Sequence, residues 1–241
     1  MAIQVLTFGG YSLKVAELSI DTESRLASED LPRSHGAAAD DSAFSSGKII
    51  TIRGWIKGAS AEALRDSISA LSSAFNGGRQ ALKIFDDRQL WCVKRRLSII
   101  RALPIMAEFS AELFAKDPFL EAVSASTSNG AAPHTPTVSG GGDAPSPPTI
   151  TLTAPGGGMT AATIANTTTG KTFTWSGGSL TSGQTLVVDM GARTITEGGT
   201  EVYTHFSGDF WDLLAGNNTL NITSTPTGAT VAISWRARWY D

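Results

Sequence analysis

Ser124–Thr149 reads SASTSNGAAPHTPTVSGGGDAPSPPT, and almost nothing in it could enter a hydrophobic core. So few apolar side chains bury too little surface to offset the entropy lost on ordering the run. Residues 124–148 are therefore expected to be a Gly/Ser/Pro-rich linker. The two sides of this seam differ in kind. Before it lie a helix pattern, long strand-like runs and most of the charged residues; after it come short Thr- and Gly-rich strands. The expectation is two β-dominated modules, residues 1–123 and 149–241, each large enough to build its own core.

Composition narrows the function. Only 17% of the 241 residues are charged, against about 25% in an ordinary soluble domain, so partner subunits are expected to cover part of the surface. A net charge of -3 gives no basic footprint and argues against sequence-specific nucleic-acid binding. The basic cluster Lys94-Arg95-Arg96 sits inside a strand-like run and reads as a solvated face. Cys92 is the single cysteine, which excludes an internal disulfide and a thiolate metal cluster. No signal peptide is expected from Met1–Thr7, and no run of 18 apolar residues is present to span a membrane. The sequons at Asn166, Asn217 and Asn221 are accordingly expected to be incidental, in a protein expected to be made in the cytoplasm.

In the first module Tyr11–Ile20 alternates as a strand with one irregularity, and Asp21–Ala43 breaks the pattern around Pro32 and Gly36. That break is either a surface loop or an ordered contact arm. Phe44–Gly58 resumes as a strand, with Ile50, Ile52 and Gly54 on one face and Ile49, Thr51, Arg53 and Trp55 on the other. Gly54 and Gly58 suggest bulges or close backbone approaches. The helix is about 61–76: Ser60 caps it, Leu64, Ile68, Leu71 and Phe75 make its apolar stripe, and Gly77-Gly78 ends it. Strands are expected at Ala81–Phe85, Leu90–Lys94, Leu97–Leu103 and Ile105–Phe114, with Asp86-Asp87-Arg88-Gln89 as a turn.

The second module has the spacing of a β-sandwich. Its strands are expected at Thr149–Thr153, Ala161–Asn166, Lys171–Trp175, Gln184–Asp189, Arg193–Thr196, Val202–His205, Asn218–Thr223 and Thr230–Trp239. Phe210-Trp211-Asp212-Leu213-Leu214 reads as an apolar plug.

Chemistry is hard to find. His35, His134 and His205 have no second ligand at metal-binding spacing. Thr169-Gly170-Lys171-Thr172 imitates the tail of a phosphate loop, yet Ala165 stands where the first glycine is needed. The acidic pairs Glu29-Asp30, Asp40-Asp41 and Asp86-Asp87 are adjacent residues, which seldom converge on one substrate. No catalytic, cofactor-binding or metal residue is assigned, no cofactor is expected, and the protein reads as not an enzyme. Trp175, Trp211, Trp235 and Trp239 fill a core or, alternatively, form a sugar-stacking platform.

The chain resembles the distal tail proteins of long-tailed, siphovirus-type bacteriophages and related tail-like particles. The first module carries the likeness in His35-Gly36, Ile50–Gly58, the Leu82-x-x-x-x-Asp87-Arg88 turn, Phe109 and Asp117-Pro118-Phe119. The second carries it in Ile164-Ala165-Asn166, Gly170-Lys171, Ser182–Asp189, Leu213-x-x-Gly216-x-Asn218 and Trp235-Arg236-Ala237-Arg238-Trp239. Gly36, Gly54, Gly58, Asp87, Arg88, Asp117 and Pro118 match positions that shape backbone turns.

This resemblance implies a mainly β fold with one packed helix. It comprises an N-terminal ring-forming β-barrel or sandwich and a C-terminal galectin-like, or carbohydrate-module-like, β-sandwich. It implies a virion protein of the tail tip, made in the host cytoplasm. As a homo-hexameric ring it would join the tail tube above to the tail-tip hub or a tail-associated protein below, and could hold tail fibres or a receptor-binding protein. The alternatives are a carbohydrate-binding host-recognition protein and a tail-tube subunit. The loop around His35 and its neighbouring strands, including a long exposed edge at Phe44–Gly58, are expected to make the contacts between subunits.

Overall fold

The computed structural model describes residues 4–25, 28–30, 37–39 and 44–240. The chain divides into two compact units, Met1–Leu120 and Glu121–Asp241.

In the first unit, β1 (Gln4–Phe8) turns through Gly9 and Gly10 into β2 (Tyr11–Arg25). Both glycines have positive φ, +55° and +81°, the combination a tight hairpin needs and a Cβ resists. Next come β3 (Ser28–Asp30) and β4 (Ala37–Ala39), which pair with each other, and β5 (Phe44–Lys57). Pairing of β2 with β5 continues out to Arg25 opposite Phe44. The stretch from Asp21 to Ala43 is thus paired wherever it is described, which favours the ordered arm over the surface loop of the two readings offered for it. His35, Gly36, Asp40 and Asp41 lie outside the described residues.

Then follow α1 (Ala61–Phe75), β6 (Gln80–Lys83), β7 (Arg88–Leu103) and β8 (Met106–Ala115). Antiparallel pairing runs from β6 to β1, β2, β5, β8 and β7, and β7 returns to β6, closing a barrel. Closure places β5 between β2 and β8, so the exposed edge expected at Phe44–Gly58 does not exist. The strands expected at Leu90–Lys94 and Leu97–Leu103 are one, because a bulge between Lys94 and Arg96 absorbs the misfit. Two-residue alternation holds along β5 and β8, with Ile50, Ile52, Ala107, Phe109, Ala111 and Leu113 buried inside.

Helix α1 begins as its sequence directs. The Ser60 hydroxyl accepts the Ala63 N–H at 3.2 Å, and Glu62 lies in the positive first turn. Leu64, Leu71 and Phe75 are buried against β2, β5 and β7, each worth about 1.5–3 kcal/mol, while Ile68 is only half-buried. The Phe75 ring lies 4.7 Å from that of Phe8.

The boundary between the units runs through β9 (Leu120–Ala122), after which come β10 (Ser126–Ala131), β11 (Thr137–Ser139), β12 (Thr149–Thr153), β13 (Met159–Asn166) and β14 (Lys171–Leu180). After these come β15 (Thr185–Asp189), β16 (Thr194–Glu197), β17 (Thr200–Val202), β18 (Phe206–Gly208), β19 (Asn217–Thr225), β20 (Thr230–Trp235) and β21 (Arg238–Trp239). A six-stranded sheet, β10-β20-β12-β15-β16-β17, and a five-stranded one, β11-β19-β13-β14-β18, enclose a core that includes Phe173, Trp175, Leu186, Ile222, Val231 and Ile233. The strand expected at Val202–His205 is instead split between β17 and β18, and His205 takes a φ of 65° in the intervening turn.

The seam is not a linker. Ser126–Ala131 pairs residue by residue with Trp235–Thr230, Thr137–Ser139 pairs with β19, and Val138, Ala144 and Ser146 are buried. Composition prices side-chain burial alone. Here the backbone groups of polar residues extend both sheets, and small side chains let the seam lie close. The boundary between units accordingly falls at Leu120/Glu121, ahead of the seam.

Candidate assembly interface

On the outer face of the barrel, β2, β5, β8 and β7 form one continuous sheet. Cross-strand rows set its chemistry. Trp55 stands opposite Glu108, which stands opposite Ile100; Glu17 stands opposite Arg53, which stands opposite Ser110 and then Ser98. A groove of about 410 Å³ crosses these strands, lined among others by Glu17, Arg53, Trp55, Ser98, Ile100 and Glu108. Trp55 is 49% exposed and Ile100 64%, so the groove presents apolar surface beside paired charges. Arg53 Nη1 lies 3.4 Å from Glu17 Oε2.

Gly54 makes the local geometry possible. At the bulge between Val15 and Glu17 the Lys14 carbonyl approaches it, and a Cβ there would collide with that oxygen and lie 2.7 Å from Phe109 Cε1. At Gly58 a Cβ would strike the Leu64 backbone, so this glycine admits the first turn of α1. Both readings of these residues as close approaches hold.

The two margins of this sheet differ in chemistry. β1 covers β2 only as far as Val15, so Glu17–Asp21 has β5 along one edge and, among the described residues, no strand along the other. β6 pairs with β7 over Gln89–Cys92, and Leu97–Leu103 has β8 along one edge. Glu17 and Asp21 give the first margin an acidic character; Arg96 and Arg101 give the second a basic one. Apolar side chains continue past it at Leu103, 54% exposed, and Ile105. Arg95 is bound to Glu112 at 2.8 Å and Lys94 donates to Asn76, so part of the basic cluster is spent within the unit.

The remaining candidates are structural. His134 exchanges backbone hydrogen bonds with Ile222, and its buried Nε2 has no partner. His205 Nδ1 lies 3.2 Å from Glu197 Oε1, the oxygen that also accepts the Trp175 indole N–H at 2.5 Å. Thr168 and Thr169 donate their N–H groups to Asn166 Oδ1, and Gly170 has a φ of 70°, which makes Thr169–Thr172 a hairpin turn. Asp87 and Arg88 lie in the β6–β7 turn, where the Arg88 carbonyl accepts the N–H groups of Ile84 and Phe85. Asp117 Oδ1 accepts the Phe119 N–H. Trp175, Trp211 and Trp235 belong to the core and Trp239 is half-buried, so the sugar-stacking platform drawn on these four loses most of its surface. Among the described residues no three His, Cys, Asp or Glu side chains converge as a metal site, and no helix is long and apolar enough to cross a membrane.

Sequence reasoning missed the fastening of the seam. Arg236 Nη1 donates to the carbonyls of Ala122 and Val123, Trp235 Nε1 to that of Ser139, and Arg238 grips Glu121. The alternation of Trp235–Trp239 signals a strand, but nothing in it names the seam as its partner.

Comparison with known proteins bears on both units. Residues 141–239 match the model of the SPP1 Dit family, siphovirus-type tail component, C-terminal domain. The crystal structure of the SPP1 Dit protein, presented as a paradigm of hub adsorption apparatus in Gram-positive-infecting phages, superposes with a TM-score of 0.70 at 12% identity, over 97% of this chain and 98% of that one. The comparison with curated protein sequences finds no match. The resemblance read from the sequence is thereby borne out: residues 141–239 match a siphovirus-type tail component domain, and the chain as a whole shares the fold of the SPP1 Dit protein.

Proposed function

We infer that this protein is a structural adaptor of a phage tail tip. Six copies close into a ring that continues the tail tube on one side and seats the tail-tip hub, with any fibres or receptor-binding protein, on the other. The observation that carries this reading is the likeness to the SPP1 Dit protein along nearly the entire chain, in both units. The barrel supports it with a β2 margin at Glu17–Asp21 that, among the described residues, has a strand on one side alone, and the low charged fraction suits a protein that is mostly interface.

Electron microscopy of particles carrying an affinity label on this chain tests the placement. Label in a sixfold collar at the distal end of the tail is the expected result; label along the shaft would make the chain a tube subunit instead. Glycan binding by the full chain that disappears when the second unit alone is disrupted would shift the reading to host recognition.

A further inference from the structure

We propose that the turn after α1 modifies itself: the Gly77 nitrogen closes on the side-chain amide of Asn76, and the ring so formed opens to aspartate or isoaspartate. This goes beyond the adaptor reading and does not depend on it. A residue without a Cβ leaves its backbone nitrogen open to such an approach. Asn-Gly occurs twice in the chain, at Asn76-Gly77 and at Asn129-Gly130, in opposite settings.

At the first, the nucleophile is free and the electrophile engaged. Asn76 closes the helix with φ -93° and ψ 0°, its own N–H donating to the Ser73 carbonyl. Gly77 follows outside the helix; both residues are exposed, and no hydrogen bond among the described residues holds the Gly77 N–H. Lys94 of β7 donates from Nζ to Asn76 Oδ1. An ammonium on that oxygen draws electrons from Cγ and stabilises the charge that gathers on oxygen as the nitrogen adds. At the second, the backbone is held. Asn129 and Gly130 lie opposite Ala232 and Val231 in the β10–β20 ladder, and ring atoms of His134 come within 2.3 Å of where a Gly130 Cβ would stand. Asn129 therefore keeps an extended backbone that cannot fold onto its own side chain without breaking the ladder.

The chemistry balances with water alone. The Gly77 N–H gives its proton to solvent as the nitrogen bonds to Asn76 Cγ; the amide nitrogen of the adduct takes a proton and leaves as ammonia. Water then opens the cyclic imide. Cleaving the new N–Cγ bond gives aspartate, and cleaving the original peptide bond gives isoaspartate, whose main chain runs through Cγ. In the aspartate product a carboxylate faces the Lys94 ammonium, which offsets its unfavourable place at the negative end of α1. In the isoaspartate product the connection from α1 to Gln80, where β6 begins, is longer by one carbon.

The experiment ages the full chain at neutral pH and follows both Asn-Gly peptides by mass and by labelling with an isoaspartate-specific methyltransferase. In the folded chain the Asn76 peptide is expected to convert about tenfold faster than the Asn129 peptide, and in urea, where neither setting survives, the two rates should converge. Lys94→Gln should slow Asn76 several-fold, because a neutral amide stabilises the developing charge less. Gly77→Ala should slow it about tenfold; the new Cβ meets at close range only the movable amide of Gln80. Circular dichroism and thermal melts confirm that both variants fold. Equal rates at Asn76 and Asn129 in the folded chain, an Asn76 peptide that keeps its mass, or a Lys94→Gln chain that reacts as fast as the wild type would each overturn the proposal.

Discussion

Arg238 reaches one carboxylate oxygen of Glu121 with two of its nitrogens, Nη2 at 2.7 Å and Nε at 3.1 Å. Their side chains are only 16% and 14% exposed, so the pair joins the last strand to β9, just ahead of the seam, in partial isolation from water. Removing one partner leaves the other short of its charge-assisted bonds in a poorly hydrated place. Glu121→Ala is expected to cost about 1.5–3 kcal/mol in urea unfolding, and the double variant with Arg238→Ala less than the sum of the singles. Hydrogen exchange at Ser126–Ala131 should accelerate in both. Equal protection of β10 in wild type and variants would show that the seam is held by its ladder alone.

Gly58 is the tightest test of the barrel–helix junction. A Cβ there meets the backbone N and Cα of Leu64, which cannot swing aside as a side chain end can, while Gly58 N–H donates to the Ile105 carbonyl at 2.9 Å. Gly58→Ala is expected to lower stability by about 1–3 kcal/mol, measured as a shift in the urea midpoint at unchanged slope. Gly10→Ala tests a different property, since a Cβ there meets nothing within 4 Å and only the φ of 81° resists it. Its loss should be about 1 kcal/mol. A larger effect at Gly10 than at Gly58 would contradict the ranking.

The elements that were legible in the sequence are those whose side chains report burial directly. Ile50, Ile52 and Gly54 alternate with Thr51, Arg53 and Trp55 at period two, and Leu64, Leu71 and Phe75 recur at helical spacing. What escaped is pairing. Nothing in Phe44–Lys57 says that β8 lies beside it, and Lys94-Arg95-Arg96 hides a bulge inside one long strand. The seam escaped for a related reason: Ser126–Ala131 is ordered by hydrogen bonds to β20, 

a partner that lies about a hundred residues later and adds no apolar period to the seam itself. The one-sided margin of β2 at Glu17–Asp21 is invisible for the same cause, because, among the described residues, an edge is defined by the strand that does not lie beside it.

Asn218 organises the loop before β19 from within. Its Nδ2 donates to the carbonyls of Leu214 and Gly216 at 2.9 and 3.1 Å, and its Oδ1 accepts from the Leu214 N–H and from Asn166 Nδ2. Both asparagines are fully buried. Asn218→Asp keeps the shape and removes the donors, setting a carboxylate against two carbonyls. The expected cost is about 3 kcal/mol at neutral pH. Protonating the carboxyl restores one donor, so the variant should recover part of its stability relative to wild type as pH falls toward 4. A variant as stable as the wild type at pH 7 would show that the loop is fixed by its apolar plug, Trp211 and Leu213, without the amide network.

Cys92 offers a readout of barrel closure that needs no partner. Burial pushes its thiol up to about 12 from an ordinary 9.0, with Arg79 a smaller opposing influence. The folded chain therefore keeps the thiol neutral where the unfolded chain ionises. The associated stability is complete below about pH 9 and is lost as pH rises toward about 12. A disulfide reagent at pH 8 is expected to find no reactive thiol in the native chain and one per chain in urea. Urea midpoints of the wild type should fall more steeply above pH 9 than those of Cys92→Ala, which lacks the titrating group. Rapid labelling of the native chain at pH 8 would mean that the wall between β6 and β7 opens on the timescale of the reaction, and that the barrel is less closed than its ladder indicates.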